Sequence, residues 1–339
     1  MLSPLISVVL PIYNAAGTLP AALSCLSAQD FHDFEIIAVD DGSTDKTQEV
    51  LSRFSRKDPR VKPVFQEHKG IVAALERGVA EAKGDLIARM DADDVCRVSR
   101  LGLQGALLQN RPDLGLVSCR VEFGGRGKGR AGYARYVDWT NGLVDFEQIS
   151  LHRFVESPFA HPSVMFRKEL IGRYGGYRDG PFPEDYELWL RWMEAGVRME
   201  KLPQVLLTWN DPPGRLSRND PRYDTSAFYG LKAKYLSLWL ARHNPHHPDV
   251  IVAGAGRTTR KRAEMLCDFG VNITAYLDID PRKIGHKIKG RPVLHREHAP
   301  GPEACFVLSY VAAHGAREDI QGFLEAKGFQ LGRHFILAA

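Results

Sequence analysis

The 339-residue sequence has no apolar run approaching the roughly 18 residues of a membrane-spanning helix, so no transmembrane segment is predicted. Its start, MLSPLISVVLPIYN, has no basic n-region and no small-residue cleavage site, and this pattern predicts a first strand rather than a signal peptide. The chain is therefore expected to be cytoplasmic, with peripheral contact at the inner face of the membrane left open.

Cysteine is scarce, and its spacing excludes two kinds of site. No Cys-x-x-Cys pair occurs among the five cysteines, which are Cys25, Cys96, Cys119, Cys267 and Cys305. This spacing argues against a zinc site and against a disulfide framework, and it indicates a reducing compartment.

A large excess of charge of one sign is also missing. Lys and Arg number 45 and Asp and Glu 41, and the resulting net charge of +4 is too even for electrostatic binding of nucleic acid. Hydrophobic residues make up 44% and charged residues 25%, close to the globular average, which excludes wholesale disorder. The length predicts two or three domains, since one domain takes about 100–200 residues.

Strand and helix patterns alternate over the first hundred residues. Apolar runs predict strands at Ile6 to Leu10, Phe34 to Val39, Val61 to Phe65 and Leu86 to Met90. Helical periodicity begins at Leu19, after Asp45 and at Ile71. The alternation predicts parallel βαβ units with helices on both faces of a sheet.

The pattern is less regular after Asp94. Helices are predicted near Leu101 to Leu108, Glu184 to Ala195 and Thr225 to Arg242, and strands at Leu116 to Ser118 and Ser163 to Phe166. The glycine-rich basic stretch 124–130 has no apolar period, which predicts a loop or an edge insertion.

A second, smaller α/β pattern follows a linker at His243 to Pro248. Its elements are a strand at Val250 to Ala253, a helix at Thr258 to Phe269 and a strand at Ile273 to Leu277. The predicted domains are residues 1–224, a helix and linker at 225–248, and a Rossmann-like domain at 249–339. Gly254, Gly256 and Asp278 resemble a dinucleotide fingerprint, with Thr259 at the third glycine position. Nucleotide binding and a structural module with an empty site both stay open.

Polar residues cluster where the predicted strands of the first domain end. Tyr13 and Asn14 follow the first strand, Asp40 and Asp41 end the second, and Asp91-Ala92-Asp93-Asp94 follows the fourth. One acidic pair is typical of a turn or a helix N-cap. Three clusters favour a ligand site, because ligands bind at the carboxyl ends of strands in open α/β sheets.

Three carboxylates within four residues repel one another unless a cation neutralises them. Carboxylate oxygens suit Mg²⁺ or Mn²⁺, and both ions are commonly shared with substrate phosphates. Tyr13 could stack on a nucleobase while Asp41 hydrogen-bonds to it. Together these residues predict a site for a nucleoside diphosphate held through a metal ion.

Three ordered motifs resemble the family 2 inverting glycosyltransferases of the GT-A fold, over about residues 5–210: VVLPIYNAAGTLPAALSCLSAQDFHDFEIIAVDDGSTD, KGIVAALERGVAEAKGDLIARMDADD and PEDYELWLRW. The resemblance implies an α/β fold with a doubly wound mixed sheet. It implies a donor-nucleotide pocket, with Asp41 at the base edge, made of Pro11, Tyr13, Asn14, Asp40 and Asp41. It also implies a D-x-D motif (Asp91, Ala92, Asp93) that contacts ribose and the metal, and Asp185 as catalytic base.

Other candidate contacts have two interpretations each. His161 lies where the family places a polar residue near the acceptor, and a histidine with local backbone partners fits equally well. Lys69 could reach donor phosphates, although an exposed lysine is normally only solvated. Arg215 and Ser217 could lie in a loop that closes over the diphosphate, or in an ordinary basic surface loop. Glu184, beside the predicted base, is a further candidate.

The Q-x-x-R-W motif of processive polysaccharide synthases is missing after Trp209, which favours transfer of a single sugar. The expected donor is a nucleotide-diphospho sugar, with a UDP-sugar favoured. The expected acceptor is a glycan, a lipid-linked molecule or a protein in cell-surface glycan or glycoconjugate synthesis. The sequence does not identify the sugar, the base or the acceptor.

Three alternatives come from other classes of protein. A sugar-nucleotide pyrophosphorylase needs a glycine- and arginine-rich phosphate loop after the first strand, and Leu10 to Asn14 offers none. A dinucleotide-dependent oxidoreductase would act through the C-terminal domain. A non-catalytic sugar-nucleotide-binding protein would not need Asp93 and Asp185.

Overall fold

The computed structural model describes residues 3–125, 131–212, 214–313 and 315–339, and the chain divides into two compact units. The first unit comprises Met1–Ile149, Pro158–Gly180 and Glu184–Asn219. The second comprises Ser150–Ser157, Pro181–Pro183 and Asp220–Ala339. The helix predicted near Thr225 to Arg242 therefore belongs to the second unit. No helix in the described ranges is both long enough and apolar enough to cross a bilayer.

The elements are numbered in chain order. The strands are β1 (Ile6–Ile12), β2 (Phe34–Asp41), β3 (Val61–Gln66), β4 (Leu86–Arg89), β5 (Val95–Cys96), β6 (Leu114–Phe123), β7 (Met165–Arg167), β8 (Arg198–Trp209), β9 (Asp249–Ala253), β10 (Asn272–Asp278), β11 (Lys287–Ile288), β12 (Arg291–His295), β13 (Val307–Ser309) and β14 (Phe335–Leu337). The helices are α1 (Leu19–Ser27), α2 (Thr47–Lys57), α3 (Ile71–Glu81), α4 (Arg100–Asn110), α5 (Ala131–Gly142), α6 (Phe146–His152), α7 (Glu169–Tyr174), α8 (Glu184–Glu194), α9 (Thr225–His243), α10 (Arg257–Glu264) and α11 (Ala316–Ala326).

The first sheet has the strand order β3-β2-β1-β4-β7-β6-β8-β5. Its first four strands are parallel, so β1, β2 and β4 end at the same edge. Strand β7 runs antiparallel to β4 and β6, and β5 runs antiparallel to β8. The predicted doubly wound mixed α/β fold is confirmed, and the parallel units expected over the first hundred residues are observed in β1 to β4. Strands β6 and β8 are also parallel to each other.

Three predicted elements differ from the observed ones. Strand β6 is longer than Leu116 to Ser118 because it pairs with β8 as far as the Phe123–Trp209 pair. Strand β7 begins at Met165 because Ser163 lies in a 3-10 turn, in which its N–H donates to the carbonyl of Ala160. The helix predicted at Thr258 to Phe269 ends at Glu264 and continues as a 3-10 helix. Residues 126–130 of the predicted glycine-rich loop lie outside the described residues.

The second unit contains a six-stranded sheet of order β11-β12-β10-β9-β13-β14. The five strands from β12 to β14 in this order are parallel, and the short edge strand β11 is antiparallel to β12. Numbered along the chain, the parallel strands follow the order 3-2-1-4-5 that doubly wound sheets use. The central strand β9 is buried from Val250 to Ala253, as its apolar run predicts.

Candidate active site

The loops that follow β1 and β2 are held together by Asn14. Its side-chain oxygen accepts a hydrogen bond from the Thr44 N–H at 2.8 Å, and its own N–H donates to Ser43 Oγ at 2.8 Å. Tyr13 beside it is 48% exposed, and its ring stacks on His68 with 4.1 Å between centroids. An exposed aromatic face therefore lies at the carboxyl edge of the first sheet.

Asp41 is buried and holds the loop between β3 and α3. Its Oδ1 accepts hydrogen bonds from Gln66 Nε2 (2.7 Å) and from the Lys69 N–H (2.9 Å). Its Oδ2 accepts one from the Gly70 N–H at 2.9 Å. The side chain of Lys69 is exposed. The carboxylate that is predicted to contact a nucleobase thus already fixes the loop that carries Lys69.

Gly42 allows that loop to approach β2. Its φ is +73°, and an added Cβ would lie only 2.7 Å from the backbone nitrogen of His68. A larger residue at position 42 would push His68 away and disturb its contact with Tyr13.

Asp40 and Pro11 lie inside the fold rather than at its surface. The Asp40 carboxylate accepts hydrogen bonds from the Ser43 N–H (3.3 Å) and from Gln48 Nε2 (2.9 Å), and the side chain is fully buried. Pro11 is a buried residue of β1. Both residues stabilise the ends of β1 and β2, where Tyr13 and Asp41 lie.

The D-x-D segment brings three carboxylates together. Asp91, Asp93 and Asp94 each offer one carboxylate oxygen, and these oxygens lie within 4.8 Å of one another. Ala92 is buried between them. The segment is fixed by Asn210, whose N–H donates to Asp94 Oδ1 and whose Nδ2 donates to the Asp93 carbonyl, both at 2.7 Å.

The electrostatics of this cluster favour a bound cation. Burial, together with the charge of Asp91, raises the pKa of Asp93 to about 6. Burial and the same neighbour raise the pKa of Asp94 well above its usual value, and its buried Oδ2 has no hydrogen-bond partner. Three adjacent carboxylates with an unpaired buried oxygen fit the all-oxygen coordination that Mg²⁺ and Mn²⁺ prefer.

Asp185 lies in the first turn of α8, next to Glu184. It is partly buried, and its Oδ1 accepts a hydrogen bond from the Tyr186 N–H at 2.8 Å. Burial raises the pKa of Asp185 to about 7, with a further contribution from the charge of Glu184, while Arg89 opposes the shift. A carboxylate with a pKa near neutrality can take up a proton during a reaction at neutral pH.

His161 is buried beside these acids. Its Nε2 lies 2.8 Å from the Tyr177 hydroxyl, and its Nδ1 lies 4.0 Å from Glu184 Oε1. Burial, helped by the charge of Arg89, lowers the pKa of His161 well below its usual value, so the imidazole is neutral at pH 7. His161 therefore has side-chain partners, which neither interpretation of the sequence predicts.

Arg89 connects the carboxylate cluster with Asp185, and sequence reasoning missed it. It is 4% exposed at the end of β4 and forms an ion pair with Asp91. Its charge also acts on Asp93, His161 and Asp185. An arginine within an apolar strand could have been noticed, because a buried charge needs a partner. Tyr177 and Asn210 gave no comparable signal.

Arg215 lies close to the carboxylate cluster. Its guanidinium stacks on the Trp209 ring at 3.9 Å from the centroid, and its charge lowers the pKa values of Asp93 and Asp94 against the larger effect of burial. Its Nη1 is 4.0 Å from Asp211 Oδ1, while Arg218 forms the closer ion pair with Asp211. Ser217 Oγ is buried and has no hydrogen-bond partner among the described residues.

In the second unit, Asp278 of the fingerprint bonds to the glycine-rich loop and to a nearby lysine. Asp278 Oδ2 accepts hydrogen bonds from the Ala255 N–H (2.8 Å) and from Lys283 Nζ (3.1 Å). Gly254 has a φ of +99°, and an added Cβ would lie 3.0 Å from the Thr259 side chain. Gly256 has an ordinary φ of −66°, so its backbone does not require glycine. The acid and the loop N–H that would face a nucleotide thus satisfy each other.

The chain is similar in sequence to known glycosyltransferases. The protein-family model described as Glycosyl transferase family 2 matches residues 7–175. This range includes the D-x-D segment and ends before Asp185. The amylovoran biosynthesis glycosyltransferase AmsE of Erwinia amylovora is 30% identical over 207 residues, which cover 59% of this chain and 74% of that protein. The UDP-Gal:alpha-D-GlcNAc-diphosphoundecaprenol beta-1,3-galactosyltransferase of Escherichia coli is 28% identical over 208 residues, which cover 60% and 74%.

A solved structure has a similar fold. The crystal structure of residues 1–349 of S. aureus TarS, in complex with UDP-GlcNAc, superposes with a TM-score of 0.55 at 18% sequence identity. The similarity covers 78% of this chain and 71% of that one. At this level of identity the similarity concerns the fold.

Proposed function

Because the chain belongs to glycosyl transferase family 2 and is a glycosyltransferase, we propose that it transfers one sugar from a nucleotide-diphospho sugar to an acceptor hydroxyl, with inversion at the anomeric carbon. The single observation that carries this proposal is the pairing of two acidic sites around Arg89. One is the carboxylate cluster with its unpaired oxygen on Asp94, and the other is Asp185 with its pKa near 7.

The donor would bind at the carboxyl edge of the first sheet. Tyr13 offers its exposed ring to a nucleobase, and Asp93 and Asp94 would hold Mg²⁺ or Mn²⁺. When bound, such an ion supplies positive charge for the diphosphate, a Lewis-acid contribution. Arg215 would add a cation beside the same oxygens, since it already lies within electrostatic reach of both carboxylates.

Asp185 would serve as the general base. Its carboxylate takes the proton of the acceptor hydroxyl while that oxygen attacks the anomeric carbon, on the face opposite the departing nucleoside diphosphate. Neutral His161 adds no positive charge that would keep Asp185 ionised at lower pH. Arg89, ion-paired to Asp91, would hold the two sites in fixed relation.

The names of the relatives support a substrate class. One relative is named for amylovoran biosynthesis, and another for a UDP-Gal donor and a diphosphoundecaprenol-linked acceptor. We therefore propose a UDP-sugar as donor and a glycan or lipid-linked acceptor in cell-surface glycan synthesis. A lipid-linked acceptor would bring the protein to a membrane surface.

A panel of nucleotide sugars tests this proposal. The full chain should be stabilised against thermal unfolding, and should slowly hydrolyse, one class of UDP-sugar in Mn²⁺ or Mg²⁺ and not in chelator. GDP-, dTDP- and CMP-sugars, assayed in parallel, serve as controls for the base. No stabilisation and no hydrolysis with any donor would contradict a sugar-nucleotide site.

The pH dependence of turnover should reveal the environment of Asp185. Because a base must be ionised, kcat should fall as pH decreases through about 7. Glu184 and Arg89 act electrostatically on Asp185, and Asp185 in turn raises the pKa of Tyr177. Glu184→Gln removes a negative charge that raises the pKa of Asp185. The fall in kcat on the acidic side of the variant's pH–rate profile should therefore move to lower pH.

The rate profiles of the wild type and the Glu184→Gln variant, measured at saturating donor, check this prediction. A wild-type kcat that stays constant from about pH 8 down to about pH 5.5 would contradict a base with a raised pKa. An acidic limb that Glu184→Gln leaves in place would contradict the role given to Glu184.

A further inference from the structure

Two cysteines from distant parts of the sequence meet next to the D-x-D segment. Cys25 on α1 and Cys96 on β5 are free thiols with 3.4 Å between their sulfur atoms. The Cys96 N–H also donates a hydrogen bond to Cys25 Sγ at 3.2 Å. The two thiols therefore form a preorganised pair.

The pair has one accessible and one protected member. Cys25 is partly exposed, whereas Cys96 is buried. The hydrogen bond from the Cys96 thiol lowers the pKa of Cys25 against the effect of its burial, so more of it is thiolate at neutral pH. A partly exposed thiolate beside a buried thiol matches the arrangement of an attacking and a resolving cysteine.

Gln29 fixes the position of both cysteines. Its Nε2 donates to the Cys25 carbonyl (3.2 Å) and to Cys96 Sγ (3.4 Å), and its Oε1 accepts from the Leu101 N–H at 2.9 Å. The sulfur atoms need to approach by only about 1.4 Å to reach the disulfide bond length of about 2.05 Å, because they start at 3.4 Å.

We propose that Cys25 and Cys96 are an oxidation site at which a peroxide forms an intramolecular disulfide. The Cys25 thiolate attacks one peroxide oxygen, the O–O bond breaks, and hydroxide leaves to give a sulfenic acid. The Cys96 sulfur then attacks Cys25 Sγ, the S–O bond breaks, and water leaves. In sum, two thiols and one hydrogen peroxide give one disulfide and two waters, with two electrons passing from sulfur to oxygen.

The disulfide would act on the D-x-D segment, a consequence that rests on the proposed function. Cys96 follows Asp94 by two residues, and β5 pairs with the part of β8 that leads to Asn210, the partner of Asp93 and Asp94. Drawing Cys96 toward α1 would displace this segment. Oxidation should therefore weaken Mn²⁺-dependent nucleotide binding, and a dithiol reductant should restore it.

Peptide mapping of the full chain tests the proposal. After treatment with hydrogen peroxide and alkylation of free thiols under denaturing conditions, the peptides of Cys25 and Cys96 should be joined and two hydrogen masses lighter than their sum. Dithiothreitol should separate them. Cys25→Ser and Cys25→Ala should leave Cys96 open to alkylation, and Cys267→Ser, in the second unit, should not alter the link.

Each outcome has a clear meaning. Separate Cys25 and Cys96 peptides, both alkylated or both overoxidised, or links of either residue to another cysteine, would overturn the oxidation site. A Cys25–Cys96 link with unchanged UDP and Mn²⁺ affinity would overturn its effect on the D-x-D segment. If the reduced wild type binds no nucleotide sugar, the proposed function fails, while the joined peptides still establish the oxidation site.

Discussion

Replacing Asp185 with asparagine should lower kcat by about 100-fold or more, because the amide cannot accept the proton of the acceptor hydroxyl. Donor affinity should stay within a few-fold of wild type, since the base pocket and the carboxylate cluster are built from Tyr13, Asp93 and Asp94. The measurement is steady-state donor hydrolysis or transfer, with nucleotide affinity determined by calorimetry on the same preparations.

Glu184→Gln is the matched control for this variant. It changes the neighbouring residue in the same first turn of α8. At a pH above the acidic limb of its pH–rate profile, this variant should lose less kcat than Asp185→Asn. If Glu184 and Asp185 served only the α8 dipole, each would contribute roughly 0.3–1 kcal/mol to stability and neither variant would slow turnover. Near wild-type turnover by Asp185→Asn would remove the proposed base.

Replacing Asp93 with asparagine should abolish the gain in nucleotide affinity that Mn²⁺ gives. The substitution keeps the side-chain volume and removes one negative oxygen ligand from a cluster of three. Loss of even an outer-shell partner costs metal sites about 10–100-fold in affinity, so loss of a ligand should cost at least as much. Binding of UDP in Mn²⁺ and in chelator, for both proteins, checks this prediction.

Two further variants make the Asp93 result specific. Asp138→Asn removes a charge from an exposed position of α5 and should leave binding unchanged. Tyr13→Ala should weaken binding with or without metal, because lost base stacking, about 1–3 kcal/mol per base, does not depend on the ion. Equal affinity of wild type for UDP in Mn²⁺ and in chelator would contradict the metal site.

The sequence predicts the elements near the site because local patterns determine them. The apolar runs of β1, β2 and β4 and the helical period of α3 are each contained in a dozen residues or fewer. Parallel pairing then places Tyr13, Asp41 and Asp91 at one edge without further information. The mixed part of the sheet has a weaker local signal, because β5 and β7 are only two and three residues long.

Contacts between distant residues could not be predicted in the same way. Asn210 is 116 residues from Asp94, and Cys25 is 71 residues from Cys96, so the fold alone brings each pair together. The position of Asp278 after Gly254 and Gly256 resembles a dinucleotide fingerprint. The hydrogen bonds of Asp278 to the loop N–H groups depend on side-chain orientation, which spacing does not determine.

The anomeric configuration of the released sugar tests the central claim most directly. The wild-type protein, given an α-linked UDP-sugar that it hydrolyses in Mn²⁺, should release the β-anomer first, as seen by proton NMR before mutarotation. The β-anomer signal should be absent in chelator, and the β-anomer should be released at least about 100-fold more slowly by Asp185→Asn. Initial release of the α-anomer, or equal rates for Asp185→Asn, would contradict inversion by a single attack with Asp185 as base.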